Sequence, residues 1–147
     1  MLNKDYKEML QSLLDHKVEF LVVGAYAMAA HGYPRATGDL DLWVFTTREN
    51  ADKVYKALEE FGAPLEQINK DSFSEKGIIL QIGVAPCRID IITQISGVEF
   101  EKAYPKRKEI EIDGIKVPVI SKEDLILNKE STGREKDKLD SKFMREE

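Results

Sequence analysis

The stretch Leu21–Val44, LVVGAYAMAAHGYPRATGDLDLWV, joins a short apolar run to a glycine and then places two aspartates one residue apart. In a strand, successive side chains point to opposite faces. Asp39 and Asp41 therefore share one face, roughly 6.5–7 Å apart, while Leu40, Leu42 and Val44 fill the other. A carboxylate placed in an apolar strand loses hydration that only a cation or donors can replace. Something positive is therefore expected beside this pair. Magnesium suits it, being a hard cation that takes oxygen ligands and is usually completed by substrate phosphates. The alternative is that Asp39 caps a turn after Gly38 and Asp41 lies on a solvated strand face.

A third acid lies in Cys87-Arg88-Ile89-Asp90-Ile91-Ile92, another short strand pattern with β-branched residues around one aspartate. A lone acid in a central apolar strand wants a partner. If this strand lies beside the first, Asp90 completes a triad; otherwise it is an edge strand with Asp90 facing water.

With these motifs in order, the chain resembles the nucleotidyltransferase superfamily of polymerase-beta-like fold, in particular its small bacterial and archaeal members of the minimal nucleotidyltransferase and AbiEii types. The residues that carry the resemblance are Phe20-Leu21-Val22-Val23, Gly24-Ala25, Asp39-Leu40-Asp41 and Ile89-Asp90-Ile91. Further likeness lies in His31 to Thr37 and in Ile120 to Leu125 followed by Lys129, Gly133-Arg134 and Lys136-Asp137. It spans about residues 18 to 140. The resemblance implies an α+β fold, a mixed β-sheet flanked by helices, in one nucleotidyltransferase domain over residues 1–147.

It also implies a metal-dependent transfer of a nucleoside monophosphate from a triphosphate, with ATP the expected donor, to a hydroxyl of a protein, RNA or small molecule. Asp39, Asp41 and Asp90 are the expected catalytic and metal-binding residues, for Mg²⁺ or alternatively Mn²⁺. Gly24, Ala25, Arg35, Thr37 and Lys129 are the expected nucleotide-binding residues. Helix starts after a strand bind anions through their free N–H groups, which suits Gly24 and Ala25. Ala25 departs from the second glycine or serine usual there, and removes a hydroxyl that would help hold the triphosphate. Arg35 and Thr37, on the approach to the acidic strand, suit a phosphate clamp and a donor; an ion pair and a turn hydrogen bond are their alternatives. For Lys129 the alternative is a snorkelling surface lysine. His31 reads as a helix-ending residue, and Trp43, on the face of the acids, as core packing.

A second class of function fits the short chain: the antitoxin half of a toxin–antitoxin pair, which neutralises a cognate toxin by contact. Net charge −5 argues against a duplex-DNA binder. Charge is uneven, since residues 1–101 hold 10 Lys/Arg against 16 Asp/Glu and residues 102–147 hold 12 against 11. The single cysteine, Cys87, is expected as a small buried residue in a reducing compartment. No apolar run approaches a membrane span and the first residues do not read as a signal peptide, so a cytoplasmic setting is expected.

Periodicity places an amphipathic helix over 5–16, with Tyr6, Met9, Leu10, Leu13 and Leu14 on its stripe. Phe20–Val23 reads as a strand, Ala25–Ala30 as a small-residue helix, and Glu49–Phe61 as a helix ending before Gly62. Ile78–Val84 and Arg88–Ile92 read as paired strands, and residues 63–76 as a short helix or loop. Asp113-Gly114 between apolar alternations predicts a hairpin. Ser121 with Asp124 predicts a capping box for a helix through about Lys129, and residues 134–145 a further helix, so that the C-terminal helices occupy about 121–145.

Overall fold

Buried apolar strands build the centre of the molecule. A computed structural model describes residues 2–33, 38–84 and 86–146. The chain runs through α1 (Lys4–Asp15), β1 (Phe20–Val23), α2 (Gly24–Ala30), β2 (Asp39–Val44), α3 (Arg48–Phe61), β3 (Ile79–Ile82), β4 (Arg88–Ile92) and α4 (Phe100–Ala103). It continues through β5 (Lys108–Ile112), β6 (Ile115–Val119), α5 (Lys122–Ser131) and α6 (Glu135–Arg145). The architecture is α+β, with a mixed sheet of strand order β3-β4-β2-β1-β6-β5 among the described residues.

Pairing is parallel between β2 and β4 and between β1 and β6, and antiparallel elsewhere. Both acid-bearing strands are therefore interior. Every residue of β1 is buried, as a strand covered on both faces requires. Leu40, Leu42 and Val44 are almost wholly buried on one face of β2, which turns Asp39 and Asp41 to the other. Helices α1 and α3 pack on each other, and the Ser12 hydroxyl donates to the Ala57 carbonyl at 2.8 Å.

Local chemistry sets the element ends. Asn3 accepts the Tyr6 N–H at the start of α1, and Thr47 accepts the Asn50 N–H at the start of α3. Asn50 itself is buried. Its side chain accepts from the Glu19 N–H at 2.7 Å and donates to the Glu19 and Phe45 carbonyls at 3.0 and 2.9 Å, pinning the approach to β1 to the end of β2. The β5–β6 hairpin turns at Asp113 and Gly114, with φ of 51° and 83°; this pair of left-handed residues matches the right-handed twist of the strands.

Two expectations need correction, and one element went unread. Cys87 is exposed, because the chain is still in the β3–β4 turn there and the buried strand begins one residue later. The capping box at Ser121 is half formed: Ser121 accepts the Asp124 N–H at 3.1 Å, but the Asp124 carboxylate takes Lys106 Nζ at 3.2 Å instead of returning to Ser121. Helix α4 gave no periodic signal, being four residues long and followed by a tight turn over Tyr104–Lys106 that contains Pro105. Among the described residues, no helix is long and apolar enough to cross a membrane.

Candidate active site

Parallel pairing of β2 with β4 sets Asp41 directly opposite Asp90 and Asp39 opposite Arg88. Paired residues in adjacent strands point to the same face, so these four side chains form one polar patch on an otherwise apolar sheet. Asp90 is buried at 8% exposure, which removes the edge-strand alternative for this residue.

The positive group demanded by the sequence is Arg88. Its Nε donates to Asp90 Oδ1 at 2.9 Å, and Nη2 donates to Asp39 Oδ2 at 2.9 Å and to Asp90 Oδ2 at 3.2 Å. These bonds to Asp90, and then the charges of Asp90 and Asp39, hold the guanidinium firmly protonated. Asp41 is less well served. Burial, followed by the negative charges of Asp90 and Asp39, pushes its carboxyl up to about 6 from 3.8. The patch thus carries more negative charge than one arginine balances.

Gly24 opens α2 immediately after β1 at φ +70°, in the left-handed region. A Cβ on Gly24 would collide with Asp41 Oδ2, so only glycine lets the helix start approach the carboxylate this closely. A cleft of about 230 Å³ opens at this point, and Gly24, Ala25, Asp39, Asp41, Lys129 and Arg134 are among the residues that line it. A second cleft of about 220 Å³ shares Gly24, Asp41, Lys129 and Arg134 and runs on past Gln94 and Asn128.

The far wall is α5 and α6. Lys129 is neither at the surface nor free: it is buried, and its Nζ lies 3.3 Å from Asp137 Oδ1 and 3.2 Å from Asp140 Oδ2. Asp137 also accepts from the Thr132 hydroxyl at 2.7 Å and from Arg134 Nε at 2.8 Å. Burial works to raise the Asp137 carboxyl, but the Thr132 bond and the charges of Lys129 and Arg134 outweigh it and hold the group below its usual value. Arg134, with its side chain 75% exposed, is thereby anchored at the cleft.

Of the residues expected from sequence, Asp39, Asp41, Asp90, Gly24, Ala25 and Lys129 converge on this region. Arg35 and Thr37 lie outside the described residues. His31 caps the end of α2, with Nε2 2.7 Å from the Ile120 carbonyl. Trp43 is buried edge-to-face against Phe100 at 5.0 Å, as core packing requires. Sequence reasoning passed over Arg88 as the counter-charge, although its position two residues before Asp90 in a strand puts both on one face. It also missed Asp140, whose pairing with Lys129 needs two helices to fold together.

Three carboxylates on one face supply hard oxygen donors, which is the chemistry Mg²⁺ or Mn²⁺ accepts, and burial first, then the neighbouring acids, raise the Asp41 carboxyl among them. In the present arrangement, no cluster of three or more acidic, histidine or cysteine side chains among the described residues is disposed to hold an ion. By donor chemistry the three carboxylates suit a cation, and two of them, Asp39 and Asp90, are bonded to Arg88.

This fold is that of the nucleotidyltransferases. The chain aligns over its whole length with 97% of a Thermotoga maritima protein assigned as a nucleotidyltransferase, with a TM-score of 0.63 at 19% identity. It aligns over 96% of its length with 95% of ANT(2″)-Ia, an aminoglycoside nucleotidyltransferase solved in complex with adenylyl-2″-tobramycin, with a TM-score of 0.56 at 18% identity. The chain belongs to the family described as nucleotidyl transferase of unknown function (DUF2204), whose sequence model matches residues 2–145. No curated protein sequence matches it significantly.

Proposed function

We propose that this nucleotidyltransferase moves a nucleoside monophosphate, adenylate from ATP above all, onto a hydroxyl of a protein, RNA or small-molecule acceptor. The observation that carries this reading is the register of β2 and β4, which faces Asp41 with Asp90 and keeps Asp39 on the same side, beside a glycine-opened helix start. The neighbour solved with adenylyl-2″-tobramycin supports adenylate as the group transferred.

In this scheme the triphosphate enters the cleft between Gly24 and α6. The N–H groups at Gly24 and Ala25 and the exposed cation Arg134, pre-set by its bond to Asp137, face its phosphates, while Lys129 lines the same cleft with its charge shared by Asp137 and Asp140. Asp39, Asp41 and Asp90 are the residues that would hold Mg²⁺ or Mn²⁺. Such ions, when bound, offset the charge of the phosphates and of the leaving pyrophosphate. Asp90 accepts the proton of the acceptor hydroxyl; the hydroxyl oxygen bonds to the α-phosphorus, and the bond from that phosphorus to the pyrophosphate breaks.

The test is incubation with Mg²⁺ or Mn²⁺, each labelled triphosphate in turn and cell extract, followed by identification of the labelled species. Label from one triphosphate is expected on one acceptor, reduced at least about a hundredfold by Asp39→Ala, Asp41→Ala or Asp90→Ala. Undiminished labelling by the Asp41→Ala and Asp90→Ala chains would refute the assignment.

A further inference from the structure

The guanidinium of Arg88 makes three hydrogen bonds, and all three go to side chains proposed above as metal ligands. Both oxygens of Asp90 accept from it, as does one oxygen of Asp39. This is built into the backbone: Arg88 lies opposite Asp39 in the β2–β4 ladder and two residues before Asp90 on the same strand face. A divalent ion held by Asp39 and Asp90 would share their oxygens with a full positive charge already within hydrogen-bonding distance, and like charges at such separations repel strongly. The side chain has a way out, because 30% of its surface reaches solvent.

We propose that Arg88 is the site's internal counter-cation: a positioning residue that holds Asp39 and Asp90 when no divalent ion is bound and withdraws from them when one binds. Metal and Arg88 compete for the same carboxylates. The ion pairs offset the repulsion among the acids in the absence of metal, and they set the affinity with which metal enters. This inference rests on the metal-site reading above.

The experiment is a Mn²⁺ titration without nucleotide, read by the electron-spin resonance of free Mn²⁺, on the whole chain and its Arg88→Gln, Arg88→Lys and Asp41→Asn variants. Competition predicts that Arg88→Gln binds Mn²⁺ about tenfold more tightly or better. It should unfold at a lower temperature in EDTA and gain more than the unsubstituted protein from added Mn²⁺. Arg88→Lys, which keeps the charge, restores weaker binding. Equal or weaker Mn²⁺ binding by Arg88→Gln overturns the proposal, since a purely supporting arginine would leave the acids less able to bind when removed. If the unsubstituted chain binds Mn²⁺ and Asp41→Asn does not, such a result overturns the role of Arg88 and leaves the metal site standing; if no variant binds, both readings fall.

Should Arg88→Gln fail to fold, the unsubstituted protein decides. Its Arg88 Nε–H resonance, held by the bond to Asp90, is expected to shift or broaden away on saturation with Mg²⁺. A resonance that stays in place at saturation overturns competition.

Discussion

Replacing Asp41 by Asn should stabilise the metal-free protein, although Asp41 is a proposed ligand. The two side chains have nearly the same shape, so the substitution removes charge and little else. Asp41 has its carboxyl lifted from 3.8 to about 6, first by burial and then by Asp90 and Asp39. A carboxyl whose folded value lies above its unfolded value supports the fold best when protonated. That support is complete below about pH 4 and is lost as pH rises through about 6. Each tenfold in proton affinity is worth about 1.4 kcal/mol, so the lift corresponds to a penalty approaching about 3 kcal/mol above pH 7. In EDTA at pH 8, Asp41→Asn should therefore be about 2–3 kcal/mol more stable than the unsubstituted chain, or about 6–9 °C higher in melting temperature for a chain of this size. Between pH 8 and pH 4 the advantage should shrink toward zero. Thermal unfolding of both proteins across that range is the assay, and other titrating groups largely cancel in the difference. Equal or lower stability of Asp41→Asn at pH 8 would show that the carboxylate is not electrostatically strained. Saturating Mg²⁺ should reverse the order, because an ion that binds only the native site stabilises by mass action.

Gly24→Ala places a side chain at φ +70° against the Asp41 carboxylate, and should cost about 1–2 kcal/mol from backbone conformation alone, measured by urea unfolding, together with a loss of nucleotide binding. Lys129→Met leaves Asp137 and Asp140 buried without their shared cation and should cost about 3 kcal/mol; hydrogen exchange should show α6 opening before the sheet. Asn50→Ala deletes the three side-chain bonds that tie Glu19 to Phe45 and should cost about 2–3 kcal/mol in chemical denaturation, without altering metal binding at the distant carboxylates.

The sequence by itself determined the elements and the chemical character of the site. Period-two alternation in Asp39–Val44 sets which side chains share a face, and that rule depends only on backbone geometry. The helix stripe of α1, the glycine after α3 and the Asp113-Gly114 turn are likewise local, because each is decided by residues within a few positions of one another. So is the need of Asp39 and Asp41 for a positive neighbour. The identity of that neighbour is not local. Arg88 reaches Asp39 across 49 residues only because β2 and β4 are adjacent, parallel and in one particular register. A shift of one residue would turn Asp90 to the other face. Lys129 was legible as a residue of interest, but its burial between Asp137 and Asp140 follows from α6 folding back on α5. Tertiary structure thus turned three acids found separately along the chain into one over-charged patch, and selected Arg88 to neutralise part of it. Pairwise electrostatics acts through space, and that proximity is absent from the order of residues.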